Sequence, residues 1–288
     1  MAELLNGQVV AAFGRRFAVE LADGQTVSCV TRGKKGGIAC GDRVSIALTG
    51  PAQGVIEAVA PRATLLYRSD PFKEKIIAAN VTQIVVVVAA VPSFYEELVN
   101  RCLAAAEAAG IRVLIVLNKC DLAEETRAAL DALRLYRELG YTVLPLSALQ
   151  SIEPLRPWLK GQTSVLVGQS GMGKSSIINA LLPDAGARTR EISQTLDSGK
   201  HTTTWAQLYH LDGDSHIIDS PGMQEFGLHH LSHDQLDHAF VEFRPYLGRC
   251  KFNNCRHVSE PGCAVLEAAA AGNIDARRLA AYQKLAGA

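Results

Sequence analysis

The chain has 288 residues, 29 basic and 29 acidic, so net charge gives no warrant for a nucleic-acid partner, and any such contact has to come from a local patch. The longest apolar run, Ile84 to Val91, is too short to span a bilayer, and the opening MAELLNGQVV has neither a basic start nor a secretory apolar core, so a cytoplasmic protein without a membrane partner is expected. Seven scattered cysteines do not make a disulfide framework, and only Cys250, Cys255 and Cys263 are close enough in sequence for a common task.

Within residues 4–60, the segments Gly7–Val10, Phe17–Leu21, Thr26–Val30, Arg43–Leu48 and Gly54–Val59 read as strands, with Ala22-Asp23-Gly24 as a hairpin turn. Five short strands suggest a small closed barrel, which removes the sheet edges, and an OB-like barrel is the preferred version. Arg32, Lys34 and Lys35 fall in a glycine-rich loop, where they either meet RNA phosphates or keep a solvated loop soluble. Residues 62–80 read as a mixed-charge connector. The run Val81–Val91 then begins an alternation of buried strands (Ile111–Leu117, Val143–Leu146) with helices (Tyr95–Ala109, Glu124–Leu139), the helices ended by Gly110 and Gly140. That alternation predicts a three-layer α/β domain with a parallel sheet.

Chemistry-bearing motifs sit at the strand ends of this domain. Asn118-Lys119-Cys120-Asp121 follows the second strand. A carboxylate can accept N1–H and the exocyclic amine of guanine together, which adenine cannot offer, so Asp121 discriminates the base while Asn118 braces the loop and the Lys119 stem covers the ring. Ser147-Ala148, after the next strand, would bring backbone N–H groups near the guanine carbonyl. Pro154 and Pro157 mark a connection to the strand Thr163–Val167, which leads into Gly168-Gln169-Ser170-Gly171-Met172-Gly173-Lys174-Ser175 and then a helix from Ser176. Strand, glycine-rich turn and helix are the context of a phosphate loop: backbone N–H groups wrap the β-phosphate, Lys174 reaches the β- and γ-phosphates, and Ser175 ligates Mg²⁺.

Residues 183–201 show no apolar period and read as a mobile loop ending in His201-Thr202-Thr203-Thr204. A hydroxyl of Thr203 or Thr204 can complete Mg²⁺ coordination, although threonines opening a strand are also what β-propensity produces. The strand His216–Ile218 ends in Asp219-Ser220-Pro221-Gly222, where Asp219 can hold a Mg²⁺-bound water and the Gly222 N–H can approach the γ-phosphate. The base-recognition loop precedes the phosphate loop, the reverse of the common GTPase order. All stations can still share one sheet if the usual termini were joined and the chain opened before Val81.

A helix starting at Leu231-Ser232-His233-Asp234 and running through Phe243 is expected next, followed by Cys250-x4-Cys255-x-His257-x5-Cys263. Three thiolates and one imidazole make a closed tetrahedral shell suited to one structural zinc per chain. Arg244, Arg249, Lys251 and Arg256 around these ligands either contact RNA phosphates or form a solvated face. Residues 266–286 read as one or two helices, broken near Gly272-Asn273 with a restart near Asp275.

The order NKCD, GQSGMGKSS, GKHTTT, DSPG with QEFGL, and the cysteine-histidine motif with EPGCAV resembles the RsgA family, also called YjeQ: circularly permuted GTPases that depend on the small ribosomal subunit. The resemblance implies a multidomain chain with an OB-like barrel (residues 1–62), a permuted P-loop GTPase domain (63–228) and a mostly helical zinc-binding domain (229–288). It implies Mg²⁺ with GTP, the 30S subunit and its 16S rRNA as partners, action late in subunit maturation, and hydrolysis stimulated by the subunit. A monomer is expected. In-line attack of water would be stabilised by Lys174, Mg²⁺ and backbone N–H groups. Met223 occupies the place where many GTPases carry a water-positioning glutamine, and the resemblance gives that task to His201 instead. The competing readings are a metabolic or transport ATPase and a nucleotide-gated protein-interaction module without an RNA partner.

Overall fold

A computed structural model describes residues 4–32, 37–70, 73–183, 206–219, 228 and 230–287. The N-terminal strands are β1 (Leu4–Phe13), β2 (Arg16–Leu21), β3 (Thr26–Thr31), β4 (Arg43–Gly50) and β5 (Gln53–Val59). They pair in the order β1-β2-β3-β5-β4, and β4 returns to β1, closing the expected OB-like barrel. β3 and β5 run parallel while the other pairings are antiparallel. Alternating residues Val9, Phe17, Val19, Val27, Cys29, Val44, Ile46 and Ile56 fill the interior, as a barrel with one buried face requires.

The stretch read as a connector is in part an antiparallel hairpin, β6 (Leu65–Asp70) with β7 (Lys73–Ala79), which corrects that expectation. Its charged residues concealed the strand period. The hairpin is anchored at its base: Cys40 bridges Ala78, the Arg62 guanidinium pairs with the buried Asp42 at 2.7 Å, and Asn80 donates to the Gly41 carbonyl.

The α/β domain contains β8 (Gln83–Ala89), α1 (Glu96–Ala109), β9 (Arg112–Asn118), α2 (Ala123–Glu138), β10 (Thr142–Pro145), the short α3 (Arg156–Leu159), β11 (Thr163–Val167), α4 (Lys174–Leu181), β12 (Gln207–His210) and β13 (His216–Asp219). β10, β9, β8, β11 and β13 lie side by side, all parallel, with β12 antiparallel at the end. Both faces are covered. β8, for example, sends Ile84, Val86 and Val88 toward α1 and Val85, Val87 and Ala89 toward α3 and α4. The uninterrupted valine run follows from burial on two sides.

β12 also pairs with β1, through Ala11 opposite Gln207, so barrel and GTPase strands form one eleven-stranded sheet. The C-terminal part packs against the α1 side with α5 (His233–Ala239), α6 (Ala264–Ala270) and α7 (Ala276–Leu285). Ser232 and Gln235 make a reciprocal capping box at the start of α5, which stops short of the expected Phe243, and Asp275 caps α7. Arg278, only 1% exposed, ties this part to the GTPase domain: it donates to Glu242 and to Asn100 Oδ1 and stacks on Phe240.

Candidate functional site

The parallel strands present the carboxyl ends of β9, β10, β11 and β13 along one edge, so Asn118, Ser147, Gly168 and Asp219 share it despite their shuffled order in the chain. Asn118 is the knot of this edge. Buried at 2% exposure, it donates from Nδ2 to the Met172 carbonyl of the phosphate loop (3.0 Å) and accepts at Oδ1 from the Ala148 N–H (3.0 Å). One amide therefore holds three loops.

The close approach imposes glycine at two places. A Cβ on Gly173 would lie 2.2 Å from Asn118 Nδ2, and Gly173 holds a left-handed φ of 93° at the start of α4; a Cβ on Gly168 would lie 2.2 Å from the Val87 carbonyl. Met172 is fully buried among Val85, Ile177 and Leu146, so its side chain is packing and its carbonyl is what the site uses. Gln169 Oε1 accepts from the Tyr95 N–H at 2.7 Å, fixing the phosphate loop to the start of α1. Ser170, Ser175 and Ser176 are exposed at the mouth. Lys119 takes a left-handed φ of 62° and its Nζ donates to the Val91 carbonyl, while Asp121 is exposed. The Ala148 N–H, expected to face the base, is engaged by Asn118 instead.

At the other end, Lys174 Nζ donates to the carbonyls of Gly168 (2.5 Å) and Gln169 (2.8 Å). Burial pulls this ammonium below its usual range, and the Asp219 carboxylate opposes the shift. Burial likewise pushes the Asp219 carboxyl above the ordinary carboxylate range, with Lys174 opposing. Two half-buried groups of opposite charge, each shifted by burial toward its neutral form and each opposing the other's shift, are suited to an anion and a cation arriving together. Lys34, Lys35, His201, Thr203, Thr204 and Gly222, and the loop expected over 183–201 beyond its first residue, lie outside the described residues.

In the C-terminal part, the ligand atoms of Cys250, Cys255, His257 and Cys263 all lie within 4.8 Å of one another. The Cys250 and Cys263 sulfurs are 3.8 Å apart, and His257 Nδ1 is 3.2 Å from Cys263 Sγ. The sulfur separation matches the edge of a tetrahedron with metal–sulfur bonds of about 2.3 Å, so this donor set fits zinc. His257 sits at a left-handed φ of 58°. Its other ring nitrogen lies 3.5 Å from Asp237 on α5, and Asp237 in turn accepts from the Tyr282 hydroxyl. Sequence reasoning missed Asp237: on its helix it looks like an ordinary polar position, yet it sets which imidazole nitrogen faces the thiolates.

The basic candidates divide. Arg249, Lys251 and Arg256 are exposed around the metal cluster, with Lys251 over the Phe252 ring. Arg244, also exposed, is joined to Glu107 of α1 at 2.7 Å, a tie across the domain seam. Arg32 pairs with Glu57 at 2.9 Å on the barrel surface. No helix among the described residues is long and apolar enough to cross a membrane.

The model of the family described as RsgA GTPase matches residues 59–229. A Nitrosospira multiformis protein named Small ribosomal subunit biogenesis GTPase RsgA is 60% identical over 98% of this chain and 90% of its own length. A Nitrosomonas europaea protein of the same name is 57% identical over 98% and 90%. Among solved structures, YjeQ from Thermotoga maritima superposes with a TM-score of 0.74 at 31% identity, covering 99% of this chain and 98% of that one. YloQ, described as a circularly permuted GTPase, gives 0.72 at 26% identity, covering 99% and 94%. With a permuted order of stations on one sheet edge, a barrel before them and a Cys3His cluster after them, the chain belongs to the RsgA family of circularly permuted GTPases.

Proposed function

We propose that this GTPase binds the small (30S) ribosomal subunit through its 16S rRNA late in maturation, and that the subunit stimulates its hydrolysis of GTP. The observation that carries the reading is the 60% identity, spread over 98% of the chain, to a protein named for small-subunit biogenesis. It thus extends over the barrel, the GTPase domain and the zinc cluster alike, on working domain bounds of 1–62, 63–228 and 229–288.

Within the site, Asp121 selects guanine, Asn118 braces its loop, the Lys119 stem covers the ring, and residues 168–176 bind the phosphates, with Ser147 and Ala148 at the base end. Mg²⁺, when bound with GTP, supplies charge neutralisation at the β- and γ-phosphates. Ser175, Asp219 and a hydroxyl of Thr203 or Thr204 would hold it, and the Gly222 N–H would meet the γ-phosphate. Lys174 moves from the loop carbonyls to the phosphate oxygens, an exchange favoured because an anion stabilises the charged form of a partly desolvated ammonium better than neutral carbonyls do. His201 orients the attacking water, and unassisted turnover is slow because a partner must first fix that residue. Zinc on Cys250, Cys255, His257 and Cys263 is structural, since four protein ligands leave no open position. Arg249, Lys251 and Arg256 are the RNA-facing cations, joined by Lys34 and Lys35 from the barrel. The protein works as a cytoplasmic monomer.

The test is co-sedimentation with 30S subunits at two salt concentrations, with a non-hydrolysable GTP analogue and with GDP. Salt-sensitive binding that favours the analogue, together with a faster turnover on adding subunits, is expected. Equal sedimentation with and without subunits would overturn the reading.

A further inference from the structure

Buried side-chain atoms without a hydrogen-bond partner are few among the described residues: Ser147 Oγ, both amide atoms of Gln207, and His210 Nε2. His210 Nε2 lies 3.0 Å from the Glu20 carboxylate, which accounts for it, and Ser147 belongs to the guanine loop. Gln207 belongs to none of the nucleotide motifs. It is 0% exposed, and its donor and its acceptor are both unmatched. A buried amide in this condition is a standing penalty, and such groups persist in folded proteins where a water, ion or ligand completes them.

Its place in the sheet says what completes it. The β12–β13 register sets Gln207 directly opposite Asp219. Opposed residues of an antiparallel pair project from the same face, close enough for their side chains to touch. Two residues along, the pair Tyr209–Ile217 projects to that face too, and Ile217 packs on Ile177 and Ile178 of α4, the helix that begins with Lys174 and Ser175. Toward the barrel, Gln207 meets Ala11 of β1, whose methyl group offers no hydrogen bond. The Asp219 carboxylate is thus the polar group that the register delivers to this amide.

We propose that Gln207 is a positioning residue for the divalent cation: in the nucleotide complex its Nε2 donates to one oxygen of Asp219 and turns the other toward the cation. Its Oε1 is then left to accept from the water around that cation. This rests on the assignment of Asp219 to the cation made above. A leucine or methionine at 207 packs equally well in the strand and leaves the carboxylate unsteered.

The experiment uses the full chain with a fluorescent non-hydrolysable GTP analogue, titrated with MgCl2 and followed by analogue affinity and by melting temperature. Gln207→Leu is expected to melt at or above the wild-type temperature without nucleotide. Its Mg²⁺ requirement rises about ten-fold, as for loss of a group that orients a metal ligand, while its Mg²⁺-free affinity for the analogue stays unchanged. Should Gln207→Leu not fold, Gln207→Met carries the same comparison at equal side-chain length. A wild-type Mg²⁺ midpoint in the folded variant overturns the proposal. Asp219→Asn is run beside it: a shifted midpoint there with an unshifted one at 207 removes the role of Gln207 alone, whereas two unshifted midpoints remove the cation assignment itself.

Discussion

The two ends of the nucleotide site are built differently. At the guanine end every group of Asn118 is engaged, and three loops are fixed before any ligand arrives. At the phosphate end Lys174 rests on its own loop carbonyls, Asp219 is held above its ordinary range, and Gln207 has no partner. The base end is therefore preorganised, and the phosphate end is completed by what it binds. A site divided in this way keeps guanine selectivity constant while the phosphate state changes the structure.

The sharpest way to break this contrast is at Asp121. Its replacement by alanine removes two charge-assisted hydrogen bonds to the base, about 3–6 kcal/mol or roughly 10²–10⁴-fold in preference for GTP over ATP. Calorimetry with both nucleotides reads this directly, and an unchanged preference would move base recognition elsewhere. Next is Asn118→Ala. Because it strands the Ala148 N–H and the Met172 carbonyl in a buried place, stability falls by about 2–4 kcal/mol even without nucleotide. A denaturant titration of nucleotide-free protein checks it, and an unaltered midpoint would mean that the base end is not prebuilt.

Asp219→Asn should behave in the opposite sense. Ionised Asp219 is disfavoured by burial, so the amide leaves the nucleotide-free melting temperature unchanged or higher, while Mg²⁺-dependent affinity for a GTP analogue falls by about 1–3 kcal/mol. Losing both together would erase the distinction between the two ends.

The smallest effect is one of pH, at the strand pair that carries Asp219. His216 is held below the usual imidazole value of 6.5, first by burial and then by His210, against the opposing charges of Asp212, Asp214 and Glu20. Folding favours its neutral form, so the stabilisation is complete above pH 6.5 and is lost as pH falls through the lower folded value, because the unfolded chain takes up the proton first. Melting temperature should decline from pH 7.5 to 5.5, and His216→Gln should flatten that decline by well under about 1 kcal/mol. A variant that follows the wild-type slope would locate the titration elsewhere.

What the sequence made legible follows the same division. The glycines of the phosphate loop, the Asn118 loop and the cysteine spacing are forced by backbone approach and ligand geometry, so their residue types survive in a bare string. The barrel strands and the alternating α/β pattern were readable from periodicity. The hairpin β6–β7 was not, because its charged stretch shows no alternation. Arg244 resembled its basic neighbours until its partner Glu107, distant in the chain, came beside it. Asp237 and Gln207 were invisible for a related reason: each matters through one residue that only the fold brings near, His257 in one case and Asp219 in the other.

The pairing of β1 with β12 also settles who can join this sheet. The outer margin of the strand beside β13 is a place where another polypeptide could add a strand of its own, and here the protein's own barrel has taken that position. The opposite margin, β10, offers four residues ending in Pro145, a poor template for a newcomer. Among the described residues, strand addition is thus disfavoured at both flanks of this sheet, which leaves it loops and surface charge to offer a partner.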